Sequence, residues 1–485
     1  MKKQTLLFTI IILLSLSWAC KMPGLNASVD ATQIAAEIFA TQTAIRPTAT
    51  STPLSKGTNT PSPTQTPKPS DTPIPLPVNV EVRPDGSGDY ATLHEAVKAV
   101  PPESTIRLVA GTYLLPETLW IEKPLSIIGA GPTETRITGD TADNALMKFE
   151  GPGTFILHEV ALDYTGTTWS NVLIITNGDD IHVKDCNFSG AVADFDADLG
   201  GVGVLLRKDT TGVVETSEVF ENDAHGIAVK DEADVVLMQN LAHHNGQIGI
   251  AFLDDSRGQA VENAAKLNTW YGIVADGNSE VEIIENDIRE NELAGVMASG
   301  DATAKIDNNE VLMNGQQGVQ VTEQAQATVD NNFLNHNGIV GLAFRGNSTG
   351  SATGNECLSN GTYGIAIVER GYAELVDNLC THNGESGIVV FDNAGGTIND
   401  NRVAHNGHHG LFLKGPIEVR VENNEIYENE QAGILFSDQT TGVVIGNEIY
   451  HNAWGIYIKE GVSFESANNV IYENSEANIE DLRYE

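Results

Sequence analysis

Asp194, Asp196 and Asp198 alternate within GAVADFDADLGG, residues 190–201. Carboxylates at alternate positions are how many calcium loops aim hard oxygen ligands at one ion. Leu199 stands where such loops usually carry glycine, and no glutamate closes the segment, so a salt-bridged surface loop is the plainer account. Arg207 and Lys230 fall on a column beside this segment, and such residues hold anions or take part in proton transfer. It is the one place in the chain where candidate metal ligands and basic side chains coincide. His382 and His405 lie 23 residues apart, with His408 and His409 just beyond. Imidazoles so grouped suit a transition metal, although exposed turn residues are the commoner case. Trp270, Tyr271, Tyr363 and Trp454 recur at a corresponding turn and offer ring faces to sugars. An acidic turn recurs at Asp231, Asp254, Glu323, Glu369, Asp392, Asp438 and Glu460. Neighbours such as Asp231 and Asp254, or Glu369 and Asp392, would stack closely enough to share a cation; a solvated acidic turn is the simpler reading.

What must position these residues is a repeat. From about residue 217 the chain repeats every 23 residues. One column is Asn240, Asn263, Asn286, Asn309, Asn332, Asn355, Asn378, Asn401, Asn424 and Asn447; a second runs from Asn222 and Asn245 to Asn429 and Asn452. Glycine follows four residues later, from Gly226 to Gly433, and then an aliphatic residue, from Ile227 to Ile434. A period of 20 to 50 residues marks a solenoid, and the alternation in Ile365-Ala366-Ile367 or Leu411-Phe412-Leu413 marks strands. The reading is an all-β fold: a single-stranded right-handed parallel β-helix of 23-residue coils. Stacked at about 4.8 Å, inward Asn side chains form hydrogen-bonded ladders, a structural role. Gly and Asn are expected at the left-handed turn positions. Cys357 and Cys380 fall on one inward column as stacked thiols without disulfide geometry, and Cys186 takes a ladder position. The outward column Ala228, Ala251, Val274, Met297, Gln320, Ala343, Ala366, Val389, Phe412, Leu435, Tyr457 is mostly apolar and carries no carboxylate. Paired acids for glycoside hydrolysis are therefore missing from that face.

The net charge is −39, from 66 acidic against 27 basic residues. Like charge disfavours nucleic acid and anionic membrane surfaces as partners. Residues 46–77 are Thr, Pro and Ser with little apolar content, the composition of a disordered stalk. A short helical segment is expected within 21–45. Val78, Val80 and Val82 begin a strand, Ala91 to Val100 has helical spacing, and Pro101-Pro102 stops it. The folded domain is expected over 78–485, with a cap at 78–113 whose short helix closes the open end of the solenoid, and regular coils over about 204–480.

Residues 1–20, with Lys2, Lys3, the apolar run Leu6 to Leu16 and Ser17-Trp18-Ala19-Cys20, resemble a bacterial lipoprotein signal. The resemblance implies export and lipidation of Cys20, and so a membrane-anchored place at the cell surface or secretion. DGSGDYATLHEAVKAVPPESTIRLVAGTY resembles the N-terminal entry of pectinesterases, although no counterpart of their catalytic Gln, Asp and Arg motifs follows. The unit N-x-Φ-x-x-N-G-x-x-G-Φ-x-Φ, with Φ apolar, resembles the repeats of the pectate-lyase-like superfamily and of NosD-like proteins. That superfamily hosts lyases, hydrolases, esterases, epimerases and adhesins, so the resemblance speaks to fold before activity. In its lyases calcium neutralises a uronate carboxylate while a basic residue removes a proton; here the resemblance points to Asp194, Asp196 and Asp198 with Arg207 or Lys230. The leading expectation is a non-catalytic surface protein that binds a polysaccharide or envelope component along the outward apolar face. A calcium-dependent polysaccharide lyase and a structural spacer are the alternatives.

Overall fold

The computed structural model describes residues 75–141 and 144–483. The signal, the 21–45 segment and most of the stalk lie outside the described residues. After a first strand, Asn79–Val82, each coil from Ser104 onward lays down three short strands, and like strands of successive coils pair in parallel. Sheet 1 has 17 strands, running from Asn79–Val82 to Ser463–Ala467. Sheet 2 has 16, from Gly111–Leu114 to Val470–Tyr472, and sheet 3 has 16, from Leu119–Ile121 to Ala477–Asp481. The result is an all-β parallel solenoid of about 17 turns with coils of about 23 residues.

The interior follows from the period-two alternation of the strands. In Val204–Arg207 and its successors the first and third residues point inward, so Val204, Ile227, Ile250 and Ile273 stack in one buried file. Cys357 and Cys380 are direct partners in another file, both free and fully buried. Helix α1 (Leu93–Ala99) starts at Thr92, whose hydroxyl accepts from the Glu95 amide at 3.1 Å, and it buries Leu93, Ala96 and Val97.

The two Asn columns form ladders at the corners on either side of sheet 2. Asn240 Nδ2 donates to Asn263 Oδ1 at 3.0 Å and to the Val214 carbonyl at 2.8 Å, while the Asn240 amide also donates to Asn263 Oδ1 at 2.9 Å. The second ladder repeats the scheme, with Asn245 Nδ2 to Asn268 Oδ1 at 3.1 Å. Above Asn240 the first ladder continues through Ser217, whose hydroxyl accepts from the Cys186 amide, so Cys186 does occupy a ladder position.

One expectation about the corners is corrected. The left-handed residues are not the ladder asparagines but those just before them, such as Glu262, Glu285, Asp377, His244 and Leu267. The bend must come one residue early so that the Asn itself can turn inward. Nor do the glycines of the Asn-Gly pairs have positive φ. Gly361 lies under the Gly338 carbonyl of the preceding coil, where a Cβ has no room. Those glycines provide stacking clearance.

The coils are irregular before residue 204. Val202 and its hydrogen-bond partner Asn171 are separated by 31 residues, against 23 between later coils. The extra chain forms an antiparallel hairpin, Ala193–Asp194 with Leu199–Gly200. An antiparallel bridge between Ser170 and Val192 ties it to the solenoid.

Candidate groove on the third sheet

The outward faces of three successive sheet 3 strands contribute Ile174, Leu205 and Ala228, which are direct neighbours. The hairpin stands at their side. Between them lies a groove of about 410 Å³. Its floor is apolar. Glu150, Arg207, Lys208 and Lys230 line it at the turn that ends each strand, and the hairpin contributes Asp194, Phe195 and Asp198. Lys148 and Trp169 complete the lining towards the earlier coils. Phe195 is 62% exposed at the hairpin tip. Four of the chain's 27 lysines and arginines thus meet in one groove of a strongly acidic protein.

Arg207 and Lys230 are brought together as the columns predicted, in adjacent coils. Arg207 Nε lies 3.1 Å from Asp231, and Lys230 Nζ lies 3.9 Å from Asp254. The same device recurs further along, with Arg345 2.9 Å from Glu369 and Lys414 3.7 Å from Asp438. Each of these four acids therefore has a basic partner in the coil before it. The Arg345 guanidinium and the Gly346 amide hold the Glu369 carboxyl below its usual range, against a smaller opposing effect of burial.

Asp194 and Asp198 both reach the groove, whereas Asp196 borders a neighbouring concavity beside Thr167, Trp169 and Phe195. Asp194 Oδ1 accepts from the amides of Asp196 and Ala197, both at 3.1 Å, and so closes the hairpin turn. Among the described residues no group of three or more His, Cys, Asp or Glu side chains is gathered as a metal site. His382 and His405 do stack, with centroids 5.0 Å apart, and His405 Nδ1 lies 3.1 Å from Glu428. His409 Nδ1 accepts from the Ala432 amide at 3.2 Å, and burial pushes its pKa down to about 4.

Tyr271, Tyr363 and Trp454 share one file along the start of the sheet 3 strands; Tyr271 lies one coil beyond the groove-lining Gln247, and Tyr363 and Trp454 lie several coils further on. Tyr271 packs beside Ala251 and Val274. Tyr363 meets Phe391 edge-on at 6.0 Å, Phe391 meets Phe412 at 4.9 Å, and Trp454 meets Tyr457 at 5.4 Å. Trp270 is 43% exposed. These rings line the outward face of sheet 3 without converging on one point.

The groove also holds a residue that the sequence reading passed over. His225 precedes the Gly226 strand, in the file that continues as Ile248 and Tyr271. Its Nδ1 is buried with no hydrogen-bond partner. Burial first, then the Lys230 charge, depress its pKa to about 4 against the opposing pull of Asp198. The imidazole is neutral at pH 7. A polar residue in a file that is otherwise aliphatic or aromatic nearby was the signal available in the sequence.

The family model described as "Right handed beta helix region" matches residues 170–273, 271–416 and 418–481. A pectinesterase of Petunia integrifolia is 43% identical over 84 residues, which are 16% of this chain. The match spans about a fifth of that relative's length, 21%. Among solved structures, the chain is similar to the periplasmic alginate epimerase AlgG at 13% identity and a TM-score of 0.43, covering 78% of this chain and 82% of that one. It is also similar to the A-module of the Azotobacter vinelandii mannuronan C-5 epimerase AlgE6, at 14% identity and a TM-score of 0.38, covering 76% and 90%. Family-model matches over most of the chain, together with the parallel three-sheet coil, make this protein a member of the right-handed β-helix family.

Proposed function

We propose that this protein binds an acidic polysaccharide in the groove and along the outward face of sheet 3. The observation that carries the reading is the gathering of Lys148, Arg207, Lys208 and Lys230 in one concave site of a chain with net charge −39. Guanidinium and ammonium groups recognise carboxylates through charge-assisted hydrogen bonds, and Trp169 and Phe195 offer ring surface to the apolar faces of sugars. Ile174, Leu205 and Ala228 on the floor add apolar surface for the same sugar faces. Calcium enters as a bridge: Asp194 and Asp198 on the hairpin wall would share the ion with a ligand carboxylate. The reading places the protein outside the cell, anchored through Cys20; Cys20→Ala is expected to move it from the membrane to the soluble fraction.

The test is titration calorimetry with polygalacturonate, alginate and a neutral dextran, each with calcium and with a chelator. The acidic polymers are expected to bind and the dextran not. The pair Arg207→Ala and Lys230→Ala is expected to weaken binding about tenfold or more, of the order of one charge-assisted contact. Equal binding of dextran, or no effect of the double substitution, would remove the groove from the account. Affinity unchanged by the chelator would remove calcium alone.

A further inference from the structure

We infer that His158 and His182, on the outer face of sheet 1, hold a divalent transition ion of the zinc or copper class. The site lies on a different sheet from the groove and is independent of what the groove binds.

Three neighbouring strands place the residues: Phe155–His158, Ile181–Lys184 and Thr211–Glu215. Their alternation turns His158, His182, Lys184 and Glu215 outward. Lys184 pairs with His158 on one side and with Glu215 on the other, and His182 stands two residues back. His158 Nε2 lies 3.2 Å from His182 Nδ1. Two imidazole nitrogens bound to one tetrahedral zinc at about 2.0–2.1 Å sit about 3.3 Å apart, so this pair has the spacing of a chelate. Imidazole suits both zinc and copper. The two ring planes cross at 88°. Lone pairs lie in the ring planes, so crossed planes can meet at one ion. His382 and His405, inclined by only 27°, aim theirs side by side.

The far side of His182 is fixed. Its Nε2 lies 2.9 Å from Glu215 Oε1, which also takes Lys184 Nζ at 2.8 Å. Burial alone would raise the Glu215 carboxyl, but the hydrogen bonds from Lys184 and His182 outweigh it and hold the group below its usual range. The ionised carboxylate takes the Nε2 proton of His182 and leaves Nδ1 with its lone pair facing His158. A carboxylate behind a ligating histidine is the usual support of a metal site. Across the gap, burial first, then the proximity of His182 and Lys184, hold the His158 ring below the ordinary histidine range, against Glu159 and Asp185. A neutral His158 donates its Nε2 proton to His182 Nδ1. The ion takes the place of that proton, which moves to His158 Nδ1, so both facing nitrogens become ligands and no proton is lost. The His182 side chain is 38% exposed, which leaves the other positions on the ion open to water.

The full-length protein is titrated with zinc chloride by calorimetry at pH 7. Wild type is expected to bind zinc, and His158→Gln and His182→Gln, tested singly, are each expected to lose one equivalent. Unchanged circular dichroism shows that each variant is folded. Glu215→Gln is expected to keep that equivalent and weaken it about tenfold or more, the usual cost of removing such a support. Copper(II) on the wild type is expected to show nitrogen couplings from two imidazoles in its electron paramagnetic resonance spectrum, and from one in either single variant. A wild type that binds neither ion overturns the inference. So do single variants that keep the wild-type stoichiometry, affinity and copper spectrum, which would assign the ion to other histidines and leave His158 and His182 as a plain hydrogen-bonded pair.

Discussion

Asn332 shows what one amide does in this molecule. Its Oδ1 accepts from both the amide and the Nδ2 of Asn309, and its Nδ2 reaches Asn355 Oδ1 at 3.0 Å and the Ile306 carbonyl at 2.8 Å. Leucine there would strand several buried donors and acceptors at once. At about 1–3 kcal/mol for each unsatisfied group, Asn332→Leu is expected to destabilise by about 3 kcal/mol or more. Because each coil contacts only its neighbours, amide hydrogen exchange should rise around coils 309–355 and little elsewhere. Exchange spread evenly along the chain would argue against that local coupling. Histidine makes a second point at this scale. His225 and His409 both titrate near 4 in the fold against an ordinary 6.5. Burial dominates in each; Lys230 and Asp198 act on the first, His408 and Lys459 on the second. Between those pH values the unfolded chain binds more protons, so stability rises with pH. Their contribution is present above about pH 6.5 and lost as pH falls towards 4. The double replacement His225→Gln and His409→Gln is expected to flatten the fall in melting temperature between pH 7 and pH 4.5. An unchanged slope would mean that both imidazoles charge freely in the fold.

At the scale of elements, the corners and the hairpin are built from different kinds of information. The corners are written in the repeat: Asn columns, apolar alternation and the 23-residue step together specify ladders, strands and register. What the repeat did not reveal was which atoms touch between coils. Gly361 reads as a flexible turn residue, but it is there because the Gly338 carbonyl sits above it. Gly361→Ala is therefore expected to destabilise by about 1–3 kcal/mol, as overpacking does, measured as a drop in the urea midpoint. The hairpin was legible only as a break in register with three aspartates in it. Its placement depends on the Ser170–Val192 bridge and on Gly201 donating to the Ser170 carbonyl at 3.0 Å, backbone contacts that carry no sequence signature. For the same reason the groove could not be read from columns alone, although His225 stood out within its own file. Removing residues 193–200 should leave the Leu173–Val204 pairing and the circular dichroism of the solenoid intact. It should weaken binding of polygalacturonate about tenfold, by removing Asp194, Phe195 and Asp198. Full affinity after the excision would assign the ligand to the sheet face alone.

At the scale of the molecule, attraction and repulsion act over different distances. On the proposed binding reading, the net charge of −39 repels an acidic polymer from afar while the groove cations attract it at contact. Salt separates the two. The screening length falls from about 30 Å at 0.01 M to about 10 Å at 0.1 M and about 3 Å at 1 M. The first step mainly removes the repulsion of the whole protein, since that acts across tens of ångströms. Contacts of a few ångströms, such as a carboxylate against Arg207, weaken only in the second step. The association rate for polygalacturonate is therefore expected to rise between 0.01 and 0.1 M salt, and the dissociation rate to rise between 0.1 and 1 M. Affinity should pass through a maximum near 0.1 M. With Arg207 and Lys230 both replaced by alanine the first step should persist, because the distant charge is almost unaltered, and the second should shrink. Stopped-flow measurement of both rates across that range decides it. Affinity that falls steadily from the lowest salt would mean that attraction already dominates at long range, which a groove of four cations on so acidic a body cannot supply. The ligand would then be held by a larger basic surface than the one found beside the hairpin.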